Sequence, residues 1–271
     1  MKIIHGKAFG SASQAPSSSL AVVRPEAIEA PAPRDLIADT SHELRAPLSV
    51  LGGLIETLSE LDLDAERSRQ YLDLMAQQCK RMRAIVDGLL ELSTLEGKAD
   101  AGPGERVDIA SLLARLRAEA EVLCGRRLSV VLEAQTGFDL LGDERDITSA
   151  IGNLVTNAVR YTPPGGEIRL TWRASARGGE CSVQDTGVGI DEKHLPLLTE
   201  RFYRVQQAVQ AAGRRGAGGA GLGLAIVKAA LARHQATLEI RSEAGKGSCF
   251  TARFPAHRVL ATGTSIEGIA A

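Results

Sequence analysis

From Asp35 onward, apolar residues recur at Ile37, Leu44, Leu48, Leu51, Ile55 and Leu58. Spacings of seven, four, three, four and three are the a/d signature of a bundle helix. At 100° per residue these six positions fall within an arc of about 80°. His42 lies about 140° from Ile37, on the opposite side, so the pattern turns it toward water or toward whatever docks there. Ala46 and Pro47 follow, and the proline removes one helical hydrogen bond and invites a kink. A turn near Leu61–Ala65 leads to a second helix, in which Tyr71, Met75, Met82, Ile85, Leu89 and Leu92 keep the three/four spacing. Two helices cannot bury a two-sided apolar seam alone, so the pattern predicts a four-helix bundle made by a homodimer.

Beyond this hairpin the period changes. Gly97 to Gly104 (GKADAGPG) is a hinge by composition. From Val107, helices mix with the β-rich runs LSVVLEA, EIRLTWRA, ECSVQD, ATLEIRS and SCFTARF, which predicts an α/β sandwich with its own core. The class is therefore α+β, divided into a helical domain over 34–97, a hinge over 98–106 and a sandwich over 107–256. Residues 1–33, rich in Ala, Ser and Pro, read as a disordered linker or expression remnant. Residues 257–271 read as a small, polar tail.

Composition narrows the partners. With 32 basic and 33 acidic side chains the net charge is −1, which gives no electrostatic case for direct nucleic-acid binding. Cys79, Cys124, Cys181 and Cys249 form no C-x-x-C pair, so reduced thiols are expected rather than a disulfide or zinc framework. No apolar run approaches the ~18–20 residues that span a bilayer. His5, Gly6 and Lys7 interrupt the start, so no secretory signal is expected there. The expected location is cytoplasmic, or the cytoplasmic part of an inner-membrane sensor.

Four segments carry candidate chemistry. TSHELRAPLSV, Thr40 to Val50, sets His42 beside Glu43 on an outward helix face. DITSAIGNLVTNAVRYT, Asp146 to Thr162, gathers Asn153, Asn157, Arg160 and Tyr161 within about 100°. Asparagine is a poor helix former, so two on one face ask for a reason, and an amide oxygen is a hard, uncharged ligand for Mg²⁺. VQDTGVGI ends a strand pattern at Asp185, with Gly187 and Gly189 allowing close backbone approach and the carboxylate able to accept from an exocyclic amine. GRRGAGGAGLGLAIVKAALARH reads as a glycine-rich mobile lid running into a helix N-terminus near Leu222, where free N–H groups suit phosphate, with Arg214 and Arg215 at hand. The G-x-G-x-x-G within it follows no strand pattern, which argues against a dinucleotide fold.

In this order the segments resemble those of sensor histidine kinases. SHELRAPL is similar to the phosphoacceptor box, NLVTNAVRYT to the asparagine box, DTGVGI and GAGLGLAIVK to the two glycine boxes, and LTERFYRV to the phenylalanine box between them. The resemblance covers about residues 34 to 256 and is strongest, through LPLLTERFYRV and GLGLAIVKAALARH, to the phosphate-regulon branch. It implies a dimerisation and histidine-phosphotransfer hairpin followed by a Bergerat-fold ATP-binding domain using ATP and Mg²⁺. By resemblance His42 would take the phosphoryl group, and Glu43 would take the proton from the imidazole. Asn157 would hold Mg²⁺, with Asn153 on the metal or phosphates, and Arg160 would meet phosphate. Tyr161 would border the adenine, Asp185 would bind its amino group, and Gly187 and Gly189 would shape that pocket. Phe202 would pack the lid, Gly219, Gly221 and Gly223 would let it close, and Leu222 would open the phosphate-facing helix. The implied partner is a response-regulator receiver domain, of the winged-helix DNA-binding type of the phosphate regulon. Position 46 departs from the family: relatives carry Thr or Asn where this chain has Ala, which has no hydrogen-bonding group, so weak phosphatase activity is expected. Two competing expectations are another ATPase of the same nucleotide fold, which would lack the His–Glu helix, and a nucleotide-binding scaffold without catalysis, which intact His42, Glu43, Asn157 and Asp185 oppose.

Overall fold

Two long helices lead the computed structural model, which describes residues 19–23 and 33–262 apart from 99, 103, 176 and 206–218, with the side chains of 19 and 33–38 also left out. The Arg214–Arg215 pair, Gly216, Gly218 and the side chain of Ile37 therefore lie outside the described residues. Helix α1 spans Pro33–Glu60 and α2 spans Ala65–Glu96. The turn between them ends at Asp64, whose carboxylate accepts the Arg67 N–H at 2.8 Å and caps α2. Pro47 sits inside α1, where its missing N–H deprives the Glu43 carbonyl of its helical partner. Ile85 and Leu92 of α2 are buried, yet Leu48 and Ile55 of the α1 stripe stay 54% and 50% exposed. One hairpin does not cover its own seam.

The rest of the described residues form two sheets and three α-helices. Strands β1 (Ser19–Val23), β3 (Ser129–Ala134), β5 (Glu167–Ser175), β6 (Gly178–Asp185), β7 (Thr237–Glu243) and β8 (Gly247–Pro255) make one sheet in the order β1-β7-β8-β6-β5-β3. All pairs are antiparallel except β3 with β5. A smaller sheet joins β2 (Glu105–Val107), β4 (Phe138–Gly142) and β9 (Val259–Ala261). Helices α3 (Ile109–Cys124), α4 (Glu144–Tyr161) and α5 (Gly223–Arg233) bury an apolar stripe against the large sheet. Trp172, Ile168 and Leu170 of β5 meet Ile151 and Leu154 of α4 in that core, the alternation expected of a sheet with one covered face.

Three boundaries differ from the sequence reading. Ser19–Val23, expected within a disordered linker, is a strand on the sheet edge. Glu105–Val107, split between the expected hinge and sandwich, pairs with β4. His257 to Ala261, expected as tail, continues through a 3-10 turn into β9, also paired with β4. Each addition is an edge pairing of three to five residues, too short for periodicity to reveal. The four cysteines are free, and burial pushes the Cys181 thiol up to about 12.

Candidate active site

Helix α4 is the floor of the site because its start is fixed from two directions. Asp143 caps it, accepting the N–H groups of Arg145 and Asp146, while its own N–H donates to His234 Nε2 at 3.0 Å. The polar face of α4 then opens into a cavity of about 330 Å³, a size typical of small-molecule sites. Asn153, Asn157, Arg160 and Tyr161 line one side of it, and Asp185 and Gly189 line another. Gly219, Gly221, Leu222 and Gly223 close the rim. Gly187 and Phe202 are not part of this lining: Gly187 N–H donates to Asp185 Oδ1 at 2.8 Å, and Phe202 N–H donates to the Gly221 carbonyl at 2.8 Å. Apart from these two, the described sequence-predicted residues of the second domain thus gather at one cleft.

Asp185 ends β6 almost fully buried. Burial pushes its carboxyl up to about 6, against the opposing pull of the Gly187 and Ser248 backbone N–H groups. Gly189 has φ +64, and a Cβ there would strike the Glu243 carbonyl, so only glycine fits this turn. Asn153 Nδ2 donates to the Ser149 carbonyl at 3.0 Å, which turns its oxygen toward Gly223, where a Cβ would lie 2.8 Å from Oδ1. Asn157 Oδ1 accepts weakly from Arg160 Nη1 at 3.4 Å. Two amide oxygens and a guanidinium therefore meet at one end of the cleft. Among the described residues no cluster of three His, Cys, Asp or Glu side chains is placed to hold a metal ion. A cation here would take amide oxygens and share the oxygens of a bound phosphate, which is how Mg²⁺ is ordinarily held.

The helical hairpin walls the same cleft, which sequence reasoning did not anticipate. Ala84, Asp87, Gly88 and Glu91 of α2 line it. Glu91 accepts from Ser149 Oγ on α4, and Arg201 Nη2 reaches both oxygens of Glu96 at 2.5 and 2.7 Å. Between these polar ties, Leu92 and Leu95 of α2 pack with Leu222, Ala225 and Ile226 in a separate apolar cluster that also touches Phe202. His42 and Glu43 do not line the cleft. His42 is exposed on α1, and Glu43 Oε2 accepts from Arg81 Nη2 of α2 at 3.2 Å. Arg81 and the cleft-lining Ala84 are three residues apart on α2, about 4.5 Å along the axis at 1.5 Å per residue. Along α2, the Arg81 that holds Glu43 thus lies about one helical turn from the cleft-lining Ala84. Ser248, Tyr203 and Glu91 also escaped sequence reasoning; Tyr203 alone had a signal, its place in LTERFYRV.

Comparison with known proteins agrees with this geometry. Residues 33–98 match the His Kinase A (phospho-acceptor) domain, and residues 142–258 match the histidine kinase-, DNA gyrase B- and HSP90-like ATPase family. The phosphate regulon sensor protein PhoR of Pseudomonas aeruginosa is 47% identical over 82% of this chain and 49% of its own length. The sensor-like histidine kinase SenX3 of Mycolicibacterium smegmatis is 34% identical over 82% of this chain and 57% of its own. The chain spans about half the length of the curated relatives it matches. Among solved structures, full-length ShkA in complex with AMPPNP aligns with a TM-score of 0.59 and 26% identity over 85% of this chain and 47% of that one. The histidine kinase AdeS of Acinetobacter baumannii aligns with a TM-score of 0.60 at 21% identity over 79% of this chain and 97% of that one, a likeness of fold.

Proposed function

The chain belongs to the histidine kinases, and on that premise we propose that it uses ATP to phosphorylate its own His42 and passes the group to an aspartate of a response regulator. One observation carries the proposal: the nucleotide cleft of the ATP-binding domain is walled in part by the helix whose Arg81 holds Glu43, the neighbour of His42. Acceptor and donor sites are built into one body.

The residues divide the task by chemistry. Asp185 accepts a hydrogen bond from the adenine amino group in a buried pocket shaped by Gly187, Gly189 and Tyr161. At the other end Asn157, with Asn153 beside it, supplies amide oxygen to Mg²⁺, whose contribution is to neutralise phosphate charge. Arg160 and the N-terminus of α5 at Leu222 and Gly223 face the phosphates, and helix α5 has no side-chain cap to occupy its first N–H groups. Phosphoryl transfer requires chiefly in-line positioning and charge neutralisation. His42 attacks the γ-phosphorus through one ring nitrogen as the bond to the departing ADP oxygen breaks, and the proton on the other nitrogen passes to Glu43, which steadies the imidazolium that develops. Outward exposure of His42 lets the cleft and, later, a receiver domain reach the same ring. Likeness to the phosphate regulon sensor protein PhoR supports phosphate sensing as the setting, and the resemblance of LPLLTERFYRV and GLGLAIVKAALARH to the phosphate-regulon branch supports a winged-helix regulator as partner. No helix among the described residues is long and apolar enough to cross a membrane.

Incubation with labelled ATP and Mg²⁺ tests the proposal. The expected label is acid-labile and base-stable, and absent from His42→Gln. ATP hydrolysis with no labelled protein would support another ATPase of this fold. Nucleotide binding without either would support a scaffold.

A further inference from the structure

Strand β1 is the outermost member of the large sheet, and among the described residues its only strand neighbour is β7. The register runs antiparallel from Ser19 opposite Ser242 to Val23 opposite Leu238. Its side chains alternate as an edge strand's should. Ala21 and Val23 are partly buried against the domain core, while Leu20 and Val22 are 55% and 50% exposed. Residues 24–32 then lead to Pro33, the first residue of the phosphoacceptor helix. That stretch reaches roughly 30 Å at ~3.3–3.6 Å per residue.

The surface under β1 connects to the cleft by two routes. Ser242, the β7 residue opposite Ser19, accepts the Ile190 N–H at 2.9 Å and bonds Ser248 Oγ at 2.9 Å; Ile190 and Ser248 both line the cleft. Strands β1 and β7 also both touch the 3-10 helix Glu192–Leu197. Within it His194 Nδ1 meets Tyr203 Oη at 2.7 Å, and Tyr203 lines the cleft as well.

We propose that the outer edge of β7 is a reversible docking surface for an extended segment, that Ser19–Val23 occupies it in cis, and that occupancy is transmitted to the cleft wall through Ser242 and the His194–Tyr203 contact. Main-chain pairing supplies the attachment, and the two inward side chains select small or β-branched residues, the pattern of strand addition to a sheet edge. Reversibility follows from size. A five-residue strand whose described inward side chains are Ala21 and Val23 binds weakly, and the short connection to α1 raises its effective concentration to about the millimolar range, so the docked and free states lie close in free energy. Because the segment leads directly into the helix bearing His42, a pull from upstream acts on the sheet edge and on the cleft together. The docking half is independent of the reaction at His42; the transmission half rests on the nucleotide reading of the cleft.

Hydrogen exchange on the full chain without nucleotide, followed by nucleotide titration, tests both halves. Val23→Asp places a charge on the inward face and should raise exchange of the alternate β7 amides within 237–243 at least tenfold. Val22→Asp, on the outward face, should leave them protected. Deletion of residues 1–23 should reproduce the first result, and a peptide covering residues 16–24, added at millimolar concentration, should restore protection. In the same proteins the Kd for ATP should weaken about fivefold, near the low end of allosteric couplings, for Val23→Asp and the deletion but not for Val22→Asp. Equal exchange in all four proteins would overturn the docking. Altered exchange with an unchanged Kd would overturn the transmission. An unaltered chain that binds no ATP would refute the nucleotide reading and with it the transmission, while exchange still decides the docking.

Discussion

Burial holds the Asp185 carboxyl up to about 6, so the group proposed to recognise adenine is neutral in mild acid and ionised at neutral pH. A carboxylate accepts a stronger hydrogen bond than the neutral acid. ATP affinity should therefore rise as pH climbs from 5 to 7, and the step should vanish in Asp185→Asn, with binding about tenfold weaker at pH 7.5. Calorimetric titration at several pH values reads both. For folding the sign is opposite: a raised carboxyl contributes stability below its unfolded value of 3.8 that is lost as pH rises through about 6. Ala46 argues at the same scale. Its methyl group, exposed on α1 four residues after His42, cannot orient water, so dephosphorylation of a phosphorylated regulator should be slow and should quicken in Ala46→Thr. Brisk activity in the unaltered protein, unchanged by the substitution, would contradict this.

Helices α4 and α5 are joined by one buried imidazole. His234 Nδ1 lies 2.7 Å from the Ala230 carbonyl, and Nε2 accepts the Asp143 N–H at the start of α4, a pairing that only the neutral ring satisfies. Burial holds its pKa below 6.5 against the opposing pull of the Ala230 bond, and the Arg258 and Arg233 charges add to the lowering. The unfolded chain then binds the extra proton, so this stability is full above about pH 6.5 and is lost as pH falls below it. Urea denaturation should show the loss between pH 7.5 and 5.5. His234→Gln should flatten that slope while costing about 1–3 kcal/mol at pH 7.5. Nothing in the sequence marked His234, because Asp143, the partner that ties it to α4, lies 91 residues away. The strands of the main sheet were legible where β-branched and aromatic residues alternate, as in EIRLTWRA. Glu105–Val107 and Val259–Ala261, three residues each, carry no period, and Ser19–Val23 is hidden among small and polar residues. The outward azimuth of His42 could be computed from spacing alone; the wall that α2 adds to the cleft is tertiary and could not.

The whole molecule has an unfinished surface. Leu48, Ile55, Leu72 and Leu90 are 54%, 50%, 56% and 64% exposed on the hairpin, a concentration of large apolar side chains that marks an association face. A homodimer closing a four-helix bundle would cover it. Sedimentation equilibrium should find a dimer, and Leu48→Asp with Ile55→Asp should give a monomer that retains the fold and nucleotide binding of the second domain. A unaltered chain that stays monomeric at tens of micromolar would remove the bundle from the account. At this scale, too, the account depends on where phosphate arrives. Mass spectrometry of peptides recovered under mildly alkaline conditions, after brief reaction with ATP and Mg²⁺, is the most direct measurement. The account predicts phosphate on the peptide containing His42 and on no other; phosphate on a different residue, with His42 unmodified, would contradict it.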